Sequence, residues 1–452
     1  MSGPAEAAEP THRRTQARRA ALSSFLGTTI EYYDFLLYGA AAALVFTPLF
    51  FHGLPPAVGL AASLGTLAAG YLARLAGAAW FGQRGDRAGR RSTIVITMTT
   101  MGLSSGLIGL LPTSIQIGPA AAVLLVLLRL VQGFAVGGEF GGATLMAVEH
   151  SHPTRRGLTS SAAGIGPPAG AVLATGTMLL ITRLPEPALL SWGWRIPFVA
   201  SFGLLAVGLF VRLRLDESPA YLRATPTSGS ALLRVLCERP GDLLRGTAVG
   251  IGAFTGLGVY GVFAMSYAKA IGYSYTAALV AVLAGTAVSI LLTPVFATLS
   301  DRIGRRPLGV AANLVGAAGA FPAFWLVDSR SPVLLVAAVV FGIGLTNSAV
   351  MGMMPAMLAE LFPVQVRYTG VSACYQVSVL IGSGLAPLVA ATLVAAAGGT
   401  GLIAGYVVVT CAVSLLGLAG IPETAHRRTN PAEGAMPGAP ASSTAITGRG
   451  EE

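Results

Sequence analysis

Gly82-Gln83-Arg84-Gly85-Asp86-Arg87-Ala88-Gly89-Arg90-Arg91 is a charged decapeptide wedged between two long apolar runs. A near copy, Ser300-Asp301-Arg302-Ile303-Gly304-Arg305-Arg306, returns 301 − 86 = 215 residues later, again between apolar runs. That offset is close to half of the 452-residue chain. A second echo has nearly the same spacing. Glu149 precedes Arg155-Arg156-Gly157 as Glu360 precedes Arg367 and Gly370, with 360 − 149 = 211. The duplication predicts two related halves, each placing a basic hairpin at one surface of a membrane.

Composition points the same way. Hydrophobic residues make up 54% of the chain and charged residues 11%, where soluble domains carry about a quarter charged residues. Repeated apolar runs of this length are transmembrane helices in an all-α polytopic protein, with the lipid bilayer as the partner of its outer surface. The net charge of +10 is a matter of topology. Of 29 Lys+Arg, 23 fall on one side, among them Arg84, Arg87, Arg90, Arg91, Arg212, Arg305, Arg306 and Arg367. Arg183, Arg195, Lys269 and Arg330 fall on the other, and Arg74 and Arg129 lie within helices. By the positive-inside rule the heavy side is cytoplasmic, with both termini, and no nucleic-acid patch is implied. Cys237, Cys374 and Cys411 are too scattered for a disulfide framework or a metal site. The first apolar run, about 30 residues, is too long for a signal peptide and reads as a retained helix.

The expected order is a cytoplasmic tail over 1–20, a six-helix bundle over 21–215, a polar central loop over 216–242, a second six-helix bundle over 243–421 and a disordered tail over 422–452.

The loop pattern with its weaker copy, and 6+6 helices about a polar loop, resemble the major facilitator superfamily. Within it, four stretches resemble the bacterial metabolite:proton symporter family. They are Gly27-Thr28-Thr29-Ile30-Glu31-Tyr32-Tyr33-Asp34-Phe35, Arg129-Leu130-Val131-Gln132-Gly133-Phe134-Ala135-Val136-Gly137-Gly138-Glu139-Phe140-Gly141-Gly142-Ala143, Gly193-Trp194-Arg195-Ile196-Pro197-Phe198 and Glu360-Leu361-Phe362-Pro363. The resemblance spans about 21–425. It implies a plasma-membrane transporter, working as a monomer and without a cofactor, that moves a small organic acid or zwitterion with protons by alternating access.

Ionisable residues inside helices carry the chemistry, because a charge at mid-bilayer costs roughly 2.5–3.5 kcal/mol. Glu31 and Asp34 share a face of the first helix at i and i+3. Arg129, Gln132, Val136 and Glu139 form one stripe down the fourth helix. The planar guanidinium of Arg129 suits a carboxylate of substrate or protein. Glycines around Glu139 allow close helix approach, so Glu139, with Asp34 or Glu31, is the candidate proton carrier. Tyr33, Tyr260, Asn347 and Gln376 are candidate cavity liners beside Arg129 and Gln132. Binding is expected at mid-membrane between the halves, with acids and guanidinium facing each other across a vestibule. Arg74 either lines the inner half of the cavity or snorkels to the surface.

In the repeated loops Gly82 and Gly89 permit tight turns and Asp86 can cap the helix that follows. Arg87, Arg90 and Arg91 can pair with Glu149, and Asp301, Arg305 and Glu360 offer the same arrangement. Arg367 stands beside Glu360 as Arg155-Arg156 stand beside Glu149. The resemblance implies a latch holding the outward-open state, with Asp86 and Arg90 in it. The second copy lacks the leading glycine, where Phe296 or Ala297 stands.

Other signals are discounted. Gly164-Ile165-Gly166-Pro167-Pro168-Ala169-Gly170 has no strand before it and is no nucleotide fingerprint. As a kinked fifth helix it keeps open an alternative, a proton-coupled antiporter exporting a metabolite or drug. Glu149-His150-Ser151-His152 lacks metal-ligand spacing. No phosphate-binding loop exists and Lys269 is the single lysine, so the energy comes from a gradient. No constellation suggests an enzyme.

Overall fold

The computed structural model describes residues 4–51, 54–225 and 229–425. Its twelve long helices are α1 (Pro4–Ala41, continued beyond a bend as Leu44–Phe50), α2 (Pro56–Ala88), α3 (Arg90–Leu110), α4 (Ala120–Glu149), α5 (Arg156–Ile181), α6 (Arg195–Arg212), α7 (Pro240–Ala270), α8 (Tyr275–Ile303), α9 (Arg305–Asp328), α10 (Pro332–Leu361), α11 (Val364–Ala397) and α12 (Gly401–Ala419). Ten are long and apolar enough to cross a membrane, and the bent α1 makes an eleventh. At 33 residues α2 is about 50 Å long, more than a hydrocarbon core of about 30 Å requires. No strand occurs among the described residues.

Three differences from the sequence reading have local causes. The first helix starts at Pro4, so residues 4–20 continue it instead of forming an unstructured tail. That extension is docked: His12 reaches Asp216 at 3.1 Å and Arg19 donates to the Arg214 carbonyl at 3.3 Å. The central loop holds two short helices, Pro219–Arg223 and Ala231–Glu238, each opened by a serine cap. Gly82 lies inside α2, and the turn is made at Gly89 (φ 101°), with Gly304 (φ 109°) at the same place in the second copy. The last tail is described only to Ala425; Arg427, Arg428 and Arg449 lie outside the described residues.

The core is shared at one end and divided at the other. Near the face that carries Asp86 and Asp301, here called the basic face, one apolar cluster contains side chains of both halves, including Phe140, Leu145, Met354, Met357, Tyr368 and Tyr375. Toward the opposite face each half keeps a cluster of its own. Tyr38, Phe46, Trp194 and Phe198 form one in the first half, and Tyr260, Phe324, Leu335 and Ile343 another in the second. The halves are therefore joined at the basic face and separate away from it.

Candidate transport site

Six ionisable side chains on the first-half helices, Glu31, Asp34, Arg74, Arg129, Glu139 and Arg212, are buried between those helices, and they sort into three groups. The first is a chain of hydrogen bonds across α4, α3, α1 and α6. Arg129 donates to the Gln132 amide oxygen at 2.6 Å, Gln132 donates to the Ser105 hydroxyl at 2.5 Å, and Ser105 donates to Asp34 at 2.6 Å. Ser201 donates to the other Asp34 oxygen at 2.7 Å. The i, i+3 spacing on α4 lets Gln132 bridge one turn and turn the guanidinium toward α1. There the guanidinium carbon lies 4.1 Å from the Tyr38 ring centroid and 5.0 Å from that of Phe35. A side chain at Gly70 would meet Arg129 Nε at 2.8 Å, so the glycine leaves room for it.

The second group is Glu139, which forms a bidentate pair with Arg212 and also accepts from Thr97 at 2.8 Å. Arg212, assigned to the surface by the charge count, is fully buried and also donates to the Ile94 carbonyl. The Cβ of any residue at Gly27 would collide with this pair. The planar fork meets both carboxylate oxygens and the Thr97 hydroxyl adds a third bond to the carboxylate, so Glu139 is fully partnered, while Arg212 Nε is left without a partner among the described residues.

The third group is Glu31 with Arg74. The carboxylate is 3.6 Å from Arg74 Nη1, and neither of its oxygens has a hydrogen-bond partner among the described residues. Arg74 sits over Phe35 at 4.5 Å and Tyr71 at 5.2 Å, so it is buried and paired and does not snorkel. One residue along, Tyr32 meets Tyr375 of the second half, their hydroxyls 3.1 Å apart, and Tyr375 stacks on Phe140.

The hydrogen bonds and ion pairs described between the halves lie at the level of that tyrosine pair and the neighbouring Gln376, or between that level and the basic face. Asp86 accepts from the backbone of Tyr368 and Thr369 at 2.9 Å each and from the Thr369 hydroxyl at 2.8 Å. Asp301 accepts from the backbone of Gly157 and Leu158 at 2.9 Å each. Each aspartate thus caps a helix of the opposite half, α11 and α5 respectively, where the dipole is positive. This corrects the expectation that Asp86 caps the helix after it. That task falls to Glu217, which accepts from the Arg90 and Arg91 backbone at 3.1 Å, and Glu423 does the same for Arg305 and Arg306 at 2.9 and 3.0 Å. Glu149 receives Arg90 and, across the interface, Arg367 at 3.0 Å. Glu360 receives Arg305 at 3.5 Å and, across the interface, Arg156 at 3.9 Å. Arg87 and Arg91 miss Glu149 and bond the Gly229 and Leu213 carbonyls instead.

The chain matches the Major Facilitator Superfamily over residues 24–345 and again over 248–449. It belongs to that family. The shikimate transporter of Escherichia coli K12 is 36% identical over 416 residues, covering 90% of this chain and 95% of the relative. The proline/betaine transporter of Salmonella typhimurium is 33% identical over 436 residues, covering 93% and 86%. The proton:xylose symporter XylE bound to a bromodeoxyglucose superposes with a TM-score of 0.75 at 17% identity, over 91% of this chain and 97% of that one, a likeness of fold. The protein is thus a multi-pass membrane transporter of the major facilitator fold and not an enzyme.

Within this transporter the predicted residues separate. Arg129, Gln132 and Asp34 come together, whereas Glu139 stands apart with Arg212. All of them lie inside the first half, not face to face across a gap between the halves. Tyr33 donates to the Pro197 carbonyl at 3.1 Å in the first-half core. Tyr260 stacks on Phe324 inside the second half. Asn347 is buried in α10 with no partner for its carbonyl oxygen. Gln376 crosses the interface, donating to the Val136 carbonyl at 3.3 Å. The sequence reading missed Ser105, Ser201 and Thr97, single hydroxyls with no pattern around them. It also missed Glu217-Ser218 and Glu423-Thr424, which were findable as a third repeat, 423 − 217 = 206 residues apart. Ser218 donates to Glu149 as Thr424 does to Glu360 at 2.7 Å.

Proposed function

We propose that this protein imports a small organic acid with protons, working as a monomer by alternating access, with its basic face in the cytoplasm. The observation that carries the reading is the buried line Arg129–Gln132–Ser105–Asp34. It links a cation suited to a carboxylate with an acid able to take a proton, through side chains that relay a change at one end to the other. Shikimate, proline and betaine, the cargoes in the relatives' names, share one group, a carboxylate. The two guanidiniums beside Phe35 repel an ammonium group, which favours an acid over a zwitterion. Asp34 and Glu31 are the coupling acids of this reading. Glu139, locked to Arg212, is structural.

The halves close at the basic face through Asp86, Arg90, Glu149 and Arg367 on one side of the pseudo-symmetry and Asp301, Arg305 and Glu360 on the other. This is an outward-facing arrangement with its latch shut. Proteoliposomes with an acidic exterior test the reading. Labelled shikimate or 2-oxoglutarate accumulates inside, a protonophore abolishes the accumulation, and Arg129→Ala lowers it at least tenfold. Accumulation driven by the opposite gradient identifies an exporter and sinks the proposal.

A further inference from the structure

Of the buried acids, Glu31 is held least. Asp34 accepts from two serines, and Glu139 from an arginine fork and a threonine. Glu31 has only Arg74, at 3.6 Å, with both oxygens unpartnered although the residue is fully buried. Buried carboxylates are rarely left so, because an oxygen stripped of water and given no hydrogen bond in return is unfavourable. Arg74 is tied no more tightly: it has this one carboxylate and the faces of Phe35 and Tyr71. Arg129 approaches the same Phe35 ring and has an unpartnered Nε of its own. The pair lies one residue from Tyr32–Tyr375 which, with the neighbouring Gln376–Val136 bond, marks the level where the described bonds between the halves end on the side away from the basic face.

We propose that Arg74 is the cation that binds the substrate carboxylate, and that Glu31 occupies it as an internal stand-in when no substrate is bound. This rests on the organic-acid symport reading and names the residues that couple its two cargoes. The exchange balances. A proton from the outside adds to Glu31, the neutral acid releases Arg74, and the substrate anion takes the vacated guanidinium. On release of substrate, Glu31 gives up its proton and pairs with Arg74 again. Neither an empty, charged Arg74 nor two carboxylates on one guanidinium is favoured in a buried site, so proton and anion travel together. The groups facing Glu31 permit this. Besides Arg74 they are the phenols of Tyr32, Tyr71 and Tyr375, and the Glu139 and Arg212 charges, which cancel each other. The substrate class is a monocarboxylic acid with a hydroxylated or ring-shaped body, met by the Tyr32, Tyr71 and Tyr375 hydroxyls. Asp34, acting through Ser105 and Gln132, positions Arg129 as the second cation.

The test is proton uptake on binding, read with a pH indicator in weakly buffered detergent solution at pH 8, with shikimate as probe. Wild-type protein takes up about one proton per shikimate bound. Glu31→Gln still binds shikimate but takes up no proton and does not accumulate it uphill. Arg74→Lys, which keeps the charge and loses the fork, weakens binding at least tenfold. Binding to the wild type without proton uptake overturns the proposal even if no variant folds. So does proton uptake that survives Glu31→Gln, or shikimate affinity in Arg74→Lys within twofold of wild type. These outcomes leave the symport reading standing. If neither shikimate nor 2-oxoglutarate binds or is accumulated by the wild type, the symport reading fails and takes this proposal with it.

Discussion

In the first half Glu31, Asp34, Arg74, Arg129, Glu139 and Arg212 lie within membrane helices. In the second, residues 246–268, 275–300, 307–327, 332–359 and 368–422 contain no Asp, Glu, Lys or Arg at all. At the basic face the contrast vanishes, because both halves carry the same capping glutamate, the same cross-capping aspartate and the same arginine–glutamate pair. Duplication has therefore preserved the moving parts and left the chemistry to one half. Both halves contain wider π-type turns, over Ala42–Phe46 and Leu189–Gly193 in the first and over Leu257–Phe263, Val340–Asn347 and Leu380–Gly384 in the second. Such turns loosen a helix locally. What separates the halves is charge: the first is cross-braced by buried ion pairs within its membrane helices, and the second has none there.

The largest effect tests that bracing. Glu139→Gln strands a fully buried Arg212, and breaking a buried pair from one side costs about 3–5 kcal/mol. Little folded protein is expected from this variant in detergent melting by size-exclusion chromatography, and Glu139→Gln/Arg212→Met is expected to recover much of the loss. Any Glu139→Gln protein that does fold should still accumulate substrate uphill. Loss of accumulation in folded protein would make Glu139 a proton carrier and blur the division of labour.

The duplicated loops and the family's motifs made the fold legible in the sequence, because repeats and apolar length survive without coordinates. Arg129, Gln132 and Asp34 were legible as a polar stripe and a deep acid. Which acid meets which cation was not, since partners on α3 and α6 are set by helix rotation. Arg212 illustrates this. As the last residue of α6, it counts as a surface cation by position, yet its side chain reaches Glu139. The missing glycine of the second loop has a similar answer. In the first contact Gly82 on α2 makes room, where a Cβ would lie 2.7 Å from Thr369 Cα. In the second the room is on the other partner, where a Cβ on Gly157 of α5 would lie 2.8 Å from the Ala297 carbonyl. The close approach is kept, and the residue permitting it has changed sides.

The latch predicts effects of intermediate size. Asp86→Ala removes the acceptor of three bonds, two of them at a helix N-terminus, and should shift the balance toward the inward-open form by ~2–3 kcal/mol, roughly 30–150-fold. Asp301→Ala removes two backbone bonds across the interface and the pair Asp301 makes with Arg305 at 2.7 Å inside its own half, while Arg305 keeps Glu360, so a shift nearer tenfold is expected. Distances between spin labels on the basic face of each half report both. Equal shifts would mean the two copies are interchangeable.

Acidification tests the first copy alone. Burial pushes the Asp86 carboxyl, beyond the membrane span in the last turn of α2, from 3.8 up to about 6, against the pull of Arg90 and its three hydrogen bonds. A carboxyl whose affinity for protons is higher in the latched form than in the solvated, open form favours the latched form once it is protonated. The penalty for burying its charge is present above about pH 6 and is relieved as the pH falls through that value. Lowering the pH from 7.5 to 5 should therefore favour the shut latch by about tenfold, one pKa unit being about 1.4 kcal/mol. Asp86→Ala should remove that dependence. Opening on acidification would reverse the sign and the argument.

The smallest effect is expected where the sequence reading placed a substrate contact in the second half. Tyr260 is buried against Phe324, its hydroxyl has no partner, and it borders a small cavity with Asn313, Thr346 and Cys411. All four residues belong to the second half, so this cavity is separate from the Arg74–Arg129 region. Tyr260→Phe removes a hydroxyl that makes no bond while keeping the ring, and a buried unpaired polar group costs rather than contributes stability. Thermal stability should hold or rise, and the KM for uptake should stay within twofold. A fivefold rise in KM would show that the hydroxyl meets substrate in another state of the cycle. The second half would then supply a binding group of its own, and the contrast between a chemical half and a mechanical half would fail.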